Sequence, residues 1–187
     1  IGTDNGVSRY DGRNFETVGP PLEMVGGTGG TAVLSICPDR YGNLWFGNNG
    51  EEMRAVRFDG QYLEYFTTVD GIASNSVFVI CEDRSGNLWF GHYIDGLSRY
   101  DGREIVTFDT KDGLVHDQVR AICQDSQGNI WIGTHDGVSR FDGRDFRNFT
   151  RQDGLADNLV YDIREDRDGN LWFATLVNIG VRLRFVL

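Results

Sequence analysis

The sequence predicts an all-β fold, a β-propeller of four-stranded antiparallel blades. Three observations carry that prediction. Gly-Asn-Leu-Trp-Phe-Gly stands at 42–47 and again at 86–91, with the variants Gly-Asn-Ile-Trp-Ile-Gly at 128–133 and Gly-Asn-Leu-Trp-Phe-Ala at 169–174. These motifs contain all 4 tryptophans, Trp45, Trp89, Trp131 and Trp172, spaced 44, 42 and 41 residues apart. A period of about 42 residues is that of a propeller blade. Around each motif the same residues recur in frame: Val33, Val77, Val119 and Val160, then Ile36, Ile80, Ile122 and Ile163, then Asp39, Asp83, Asp125 and Asp166.

Residues 76–109 justify each element of the unit in order. Val77-Phe78-Val79-Ile80-Cys81 is apolar and β-branched, the pattern of an inner strand A. Asp83-Arg84-Ser85-Gly86-Asn87 is a turn, with Asp to accept backbone N–H groups and Gly for positive φ. Leu88-Trp89-Phe90-Gly91 is strand B, and Tyr93-Ile94-Asp95-Gly96 a second turn. Leu97-Ser98-Arg99-Tyr100 alternates as strand C, Asp101-Gly102 closes a hairpin, and Ile105-Val106-Thr107-Phe108 is strand D. No segment shows sustained helical periodicity. Trp45, Trp89, Trp131 and Trp172 are expected to be buried between sheets. Arg9, Arg57, Arg99 and Arg140, each followed by Tyr or Phe and Asp-Gly, are expected to stack on rings or pair with Asp.

The chain divides into five modules at about 1–19, 31–67, 76–109, 118–150 and 159–187. The first begins inside strand B and lacks strand A. The last has A and B, departs from the pattern at Val181-Arg182-Leu183-Arg184-Phe185, and lacks D. Five modules with incomplete outer ones are favoured. The alternatives are a segment of a larger propeller and a closed four-bladed ring, in which the C-terminal A and B strands join the N-terminal C and D strands. The chain reads as part of something longer. Incomplete blades are expected to be covered by further sequence, a protein partner or another copy of the chain, because open strand edges invite pairing.

The formal net charge is −10, and no Lys/Arg cluster interrupts it. Nucleic acid and anionic membrane are therefore excluded as expected partners. A neutral sugar, a cation or a basic protein is compatible. No apolar run is long enough to span a bilayer as a helix, so no membrane insertion is expected. Cys37, Cys81 and Cys123 occupy one place in three successive strands A. That place on neighbouring blades is too far apart for a disulfide, so buried free thiols are expected. The glycine-rich stretch at 19–30 lacks the Gly-Lys-Ser/Thr of a phosphate loop and reads as a flap or subunit contact. No cofactor is expected.

The run Ile80-Cys81-Glu82-Asp83-Arg84-Ser85-Gly86-Asn87-Leu88-Trp89-Phe90-Gly91, with Gly96-Leu97-Ser98-Arg99-Tyr100-Asp101-Gly102, resembles the two-component regulator propeller repeat. The resemblance covers nearly the whole chain and is weakest at 19–31 and 177–187. It implies a sensor module of the kind found in bacterial hybrid histidine kinases, periplasmic or extracellular, in many cases responsive to glycans. It transfers no site residue, because the shared motif is structural, and this chain has no kinase segment. The Asp-x-x-Gly-Asn turns also resemble the Asp-box hairpins of sialidase-like propellers. Asp166-Arg167-Asp168-Gly169-Asn170 resembles the start of a calcium loop, but a downstream bidentate Glu is absent. A structural turn is expected there, and no metal site.

In a propeller the D–A and B–C loops share one face, around the mouth of the central channel. Positions that vary while the frame repeats are the candidates there. One strand-A position holds Leu34, Phe78, Arg120 and Tyr161. The B–C turn varies as Asn48-Asn49, His92-Tyr93, Thr134-His135 and Thr175-Leu176, and the D–A loop includes His116. The expected ligand cleft therefore draws on His92, Tyr93, His116, Arg120, His135 and Tyr161. Their mixture of rings and donors suits a carbohydrate or another small polar ligand. A protein-interaction or self-assembling scaffold is the second reading. The third is a lyase or hydrolase, whose acid and base would come from the histidines, Asp117 and Asp157.

Overall fold

A computed structural model describes residues 2–3, 6–17, 32–49 and 54–176. The glycine-rich stretch at 19–30 and the sequence from 177 onward, including the expected last strand C, lie outside the described residues. Among the described residues the chain is all-β apart from a single 3-10 turn at Arg151–Asp153. β1 (Gly2–Thr3), β2 (Gly6–Tyr10) and β3 (Phe15–Thr17) form a three-stranded sheet. Three four-stranded antiparallel sheets follow. They are β4 (Ala32–Pro38), β5 (Leu44–Asn49), β6 (Ala55–Phe58) and β7 (Leu63–Phe66); then β8 (Val77–Glu82), β9 (Leu88–His92), β10 (Leu97–Tyr100) and β11 (Ile105–Phe108); then β12 (Val119–Gln124), β13 (Ile130–Thr134), β14 (Gly137–Phe141) and β15 (Phe146–Phe149). β16 (Val160–Glu165) and β17 (Leu171–Thr175) make a two-stranded sheet. Strands pair in sequence order within each sheet, as in a propeller blade. The pairing of a closed four-bladed ring, β17 against β2, is not formed.

The repeated Asp holds the A–B turn and reaches into the core as well. Asp83 Oδ1 accepts from the backbone N–H of Ser85 and Asn87, each at 2.9 Å. Its Oδ2 accepts from Asn87 Nδ2 at 2.7 Å and from Trp89 Nε1 at 2.9 Å. One carboxylate thus ties turn, Asn and indole together, which explains Asp-x-x-Gly-Asn-x-Trp as a unit. At Asp166 the carboxylate oxygens accept from Asp168 N, Asn170 N, Asn170 Nδ2 and Trp172 Nε1. That turn is built like the others and has its oxygens engaged by N–H donors rather than free for calcium.

The core lies between successive sheets. Trp45 packs on Phe66 of its own strand D at 5.0 Å and on Phe90 of the next blade at 5.6 Å. Trp89 meets Phe108 and then Phe141; Trp131 meets Phe149 and then Phe173. Close approach of blades is set at the end of strand B. A Cβ on Gly91 would lie 2.5 Å from Val119 Cγ1 of the next blade.

Two expectations need correction. Trp45 and Trp89 are buried and Trp131 is half-buried, but Trp172 is 37% exposed. The other three indoles are covered by a strand D and a following blade, and no such cover stands over Trp172 among the described residues. Two of the strand-C arginines pair with Glu where Asp or a ring was expected: Arg9 with Glu16 and Arg57 with Glu64, both at 2.7 Å. Register is the reason, since each Glu lies directly opposite its Arg on strand D. Arg99 instead lies 5.9 Å from the Trp89 ring centroid. Cys37, Cys81 and Cys123 are free thiols. Burial pushes the Cys81 thiol up to about 12, so it stays protonated and inert.

Candidate functional site

Strand A is broken at the same point in four sheets. The register against strand B shifts between Val33 and Ser35, Val77 and Val79, Val119 and Ala121, and Val160 and Asp162. The residue left without a partner in each bulge is Leu34, Phe78, Arg120 or Tyr161. A bulge bends the strand and re-aims its extra side chain. A strand-A position that differs in all four copies is therefore the one the backbone turns outward. Leu34 and Tyr161 are exposed, and Phe78 and Arg120 half-buried.

Three of these side chains meet. Arg120 Cζ stands 5.6 Å from the Phe78 ring centroid and 5.3 Å from that of Tyr161. Tyr93, 43% exposed, lies against Phe78 at 5.0 Å between centroids. The result is a row, Tyr93–Phe78–Arg120–Tyr161, drawn from three successive sheets. β12 packs between β8 and β16, so the two rings flank the guanidinium from neighbouring strands. Phe78 belongs to this row although it is absent from the six residues chosen by sequence. The signal for it was present, since it shares the frame position of Arg120 and Tyr161.

The D–A and B–C loops do lie together. The B–C turn donates a backbone N–H to the residue just ahead of strand A in each case: Tyr93 to Ser76, His135 to Gln118, Leu176 to Leu159, at 3.0–3.1 Å. His116 and His135 meet across these loops with ring centroids 5.6 Å apart. His116 Nδ1 accepts from Gln118 N at 3.0 Å, so the neutral ring carries its proton on Nε2.

His92 does not join them at the surface. It is fully buried, with Nε2 2.8 Å from Ser98 Oγ. Burial pushes its pKa down to about 4, partly offset by the nearby backbone of Ser76 and Ser74. Nδ1 makes no hydrogen bond of good geometry. Its counterparts Asn48, Thr134 and Thr175 are buried too. Asn48 Oδ1 accepts from Arg54 N, and Thr134 Oγ1 donates to the carbonyl of Gly137. Variation at this place reflects different ways of closing one turn. The variable pair is split by strand alternation, the first member inward and the second outward.

The loop carboxylates are likewise engaged. Asp117 accepts from Thr110 N and Thr110 Oγ1, as Asn75 accepts from Thr68 N and Asn158 from Arg151 N. Asp157 Oδ1 accepts from Leu159 N. Among the described residues, no group of three His, Cys, Asp or Glu is placed to hold a metal ion. No described helix is long and apolar enough to cross a membrane.

The chain's family follows from the repeat this frame is built on. A model of the two component regulator propeller matches residues 27–50, 71–93, 113–136 and 154–176, and the chain belongs to that family. Each matched stretch runs from the D–A loop through strands A and B, the part that holds the bulge and the Asp–Trp turn. Among solved structures, the chain is similar to the extracellular domain of BT3049 from B. thetaiotaomicron, described as a hybrid two component system. The identity is 25% and the TM-score 0.67, over 75% of this chain and 20% of that one. PorZ, a surface component of the type-IX secretion system of Porphyromonas gingivalis, gives 17% identity and TM-score 0.66, over 91% of this chain and 28% of that one. Virginiamycin B lyase from Staphylococcus aureus gives 15% and 0.61, over 76% and 48%. The last two show the shared fold alone. This chain spans about a fifth of the BT3049 domain it matches. No curated protein matches the sequence significantly.

Proposed function

We propose that the chain is part of a non-enzymatic sensor propeller, extracellular or periplasmic, that binds a carbohydrate or other small polar ligand on the D–A/B–C face. One observation carries this reading. Four successive blades each use a bulge to present a strand-A residue that differs in every copy, and three of those residues join Tyr93 in a single row. A bulge costs ladder hydrogen bonds, and the frame does not require different side chains there. Exposed tyrosines beside a guanidinium offer stacking and hydrogen bonding together. Family membership and the likeness to an extracellular domain support the sensor part.

The enzymatic reading finds less support. The loop carboxylates that could serve as acid or base are held by backbone N–H groups, and His92 is beneath the surface. The test is isothermal titration calorimetry of the chain against a panel of oligosaccharides, with Tyr161→Ala and Phe78→Ala beside the parent. Binding that weakens at least tenfold in both variants is expected. Binding that survives both would move the site elsewhere. A protein partner over the outer edge of β17 is the second reading, favoured by Trp172 at 37% exposed. The particle mass in solution, alone and with candidate partners, tests it.

A further inference from the structure

We infer that the ligand of this face carries an oxyanion, a carboxylate or sulfate group beside an apolar ring face, and that Arg120 recognises it; the inference rests on the ligand-recognition reading above.

Arg120 lies between Phe78 and Tyr161, 5.6 Å and 5.3 Å from their ring centroids, with the two rings on neighbouring strands to either side. Rings stacked over a guanidinium occupy its faces and leave the in-plane N–H edge for a partner. On that edge, Arg120 Nε makes no hydrogen bond within the protein. No described carboxylate forms an ion pair with Arg120, so its charge is met within the protein by the two rings alone. Acidic groups are not scarce, since the chain has 28 Asp and Glu against 18 Lys and Arg. The two ring contacts hold the guanidinium in place, and a cation fixed there without a protein counter-ion is poised to receive one from a ligand. The other shielded guanidinium, Arg140, sits in strand C opposite Trp131 and Arg147, within the repeated frame and away from the bulges.

A carboxylate or sulfate supplies two acceptors to such an edge, and paired charge-assisted bonds of this kind are the strongest hydrogen bonds a side chain makes. Tyr93 and Tyr161, 43% and 42% exposed, stand at the ends of the row for the ring face of the ligand. His116, with its proton on Nε2, adds a donor on the same loop face.

The experiment is calorimetry of the chain with three probes: a galacturonate trisaccharide, a 6-sulfated galactose trisaccharide and the neutral galactose trisaccharide. At least one acidic probe is expected to bind tenfold or more tighter than the neutral one, and to weaken as salt rises. Arg120→Gln should abolish that preference, and Arg120→Lys should retain only part of it, because it keeps the charge without the planar fork. If Gln at this position does not fold, the Lys variant alone gives the reading. The tighter of the two acidic probes names the group as carboxylate or sulfate. Equal binding of neutral and acidic probes, or a preference unchanged in the Lys variant, overturns the inference and leaves the proposed function standing. Failure of all three to bind at about millimolar concentration overturns this inference and counts against the proposed function as well.

Discussion

The indole Nε1 of Trp89 donates to Oδ2 of Asp83 at 2.9 Å, joining a surface turn to the largest side chain between two sheets. The same bond recurs between Trp45 and Asp39 at 2.9 Å, Trp131 and Asp125 at 2.7 Å, and Trp172 and Asp166 at 2.7 Å. Asp83→Ala removes the acceptor of two backbone N–H groups, of the Asn87 side-chain amide and of a buried indole. The expected loss is about 2–4 kcal/mol, because a buried donor left unpaired incurs its full desolvation cost. Urea unfolding of parent and variant gives the number, and a difference below about 0.5 kcal/mol would show the bond to be incidental.

These carboxylates also set the acid limb of stability. At Asp83 burial pushes the carboxyl up, but hydrogen bonds from Trp89, Asn87 and Ser85 outweigh it and hold it below the ordinary value. Asp166 is held at about 2, chiefly by the Trp172 indole and Asn170. A folded pKa below the unfolded one contributes stability that is present above the unfolded value, about 3.9 for Asp, and lost as pH falls through the folded value. Replacing each Asp by Asn should therefore flatten the decline in unfolding free energy between about pH 4 and 2. An unchanged decline would place its origin elsewhere.

His92 acts over a higher window. Its folded pKa, about 4, lies below the ordinary value of 6.5, so the unfolded chain binds the proton more tightly. Stability from the neutral ring is complete above pH 6.5 and is lost as pH falls toward 4, by about 3 kcal/mol in all. His92→Thr puts at this position the residue that Thr134 and Thr175 supply in later blades. The variant should fold and lose the pH dependence between 6.5 and 4, measured by thermal unfolding across that range.

Burial of the repeated tryptophans predicts unequal effects from equal substitutions. Trp89→Ala should cost about 3–5 kcal/mol, the range for deleting a packed aromatic side chain. Trp172→Ala should cost clearly less, since that indole is 37% exposed and has no following blade on it among the described residues. Equal costs by denaturant unfolding would mean that Trp172 is covered in solution.

Gly91→Ala tests the close approach between blades. The new Cβ would meet Val119 Cγ1 at 2.5 Å and Val79 Cγ1 at 2.6 Å. Overpacking of this kind costs about 1–3 kcal/mol. The chain itself carries Ala174 at the matching place in β17, where Ala174→Gly should change the unfolding midpoint little.

Strand order, turn chemistry and the Trp–Ile–Val core were legible in the sequence because each depends on spacing along one chain. A period of two marks a strand, and Asp and Gly mark the turns between strands. A blade is a local unit, so its repeat reports it directly. What the sequence could not assign was the direction and surroundings of single side chains. His92 and Tyr93 are adjacent and equally variable, yet pleating sends one into the core and the other into solvent. Four equivalent tryptophans differ in exposure because each depends on a neighbouring blade. The row Tyr93–Phe78–Arg120–Tyr161 spans three sheets and depends on bulges that a composition of apolar residues does not reveal. The sequence alone determined the frame, which is built from near neighbours. The tertiary structure alone decided which variable side chains meet, because contacts between blades join residues about 40 positions apart.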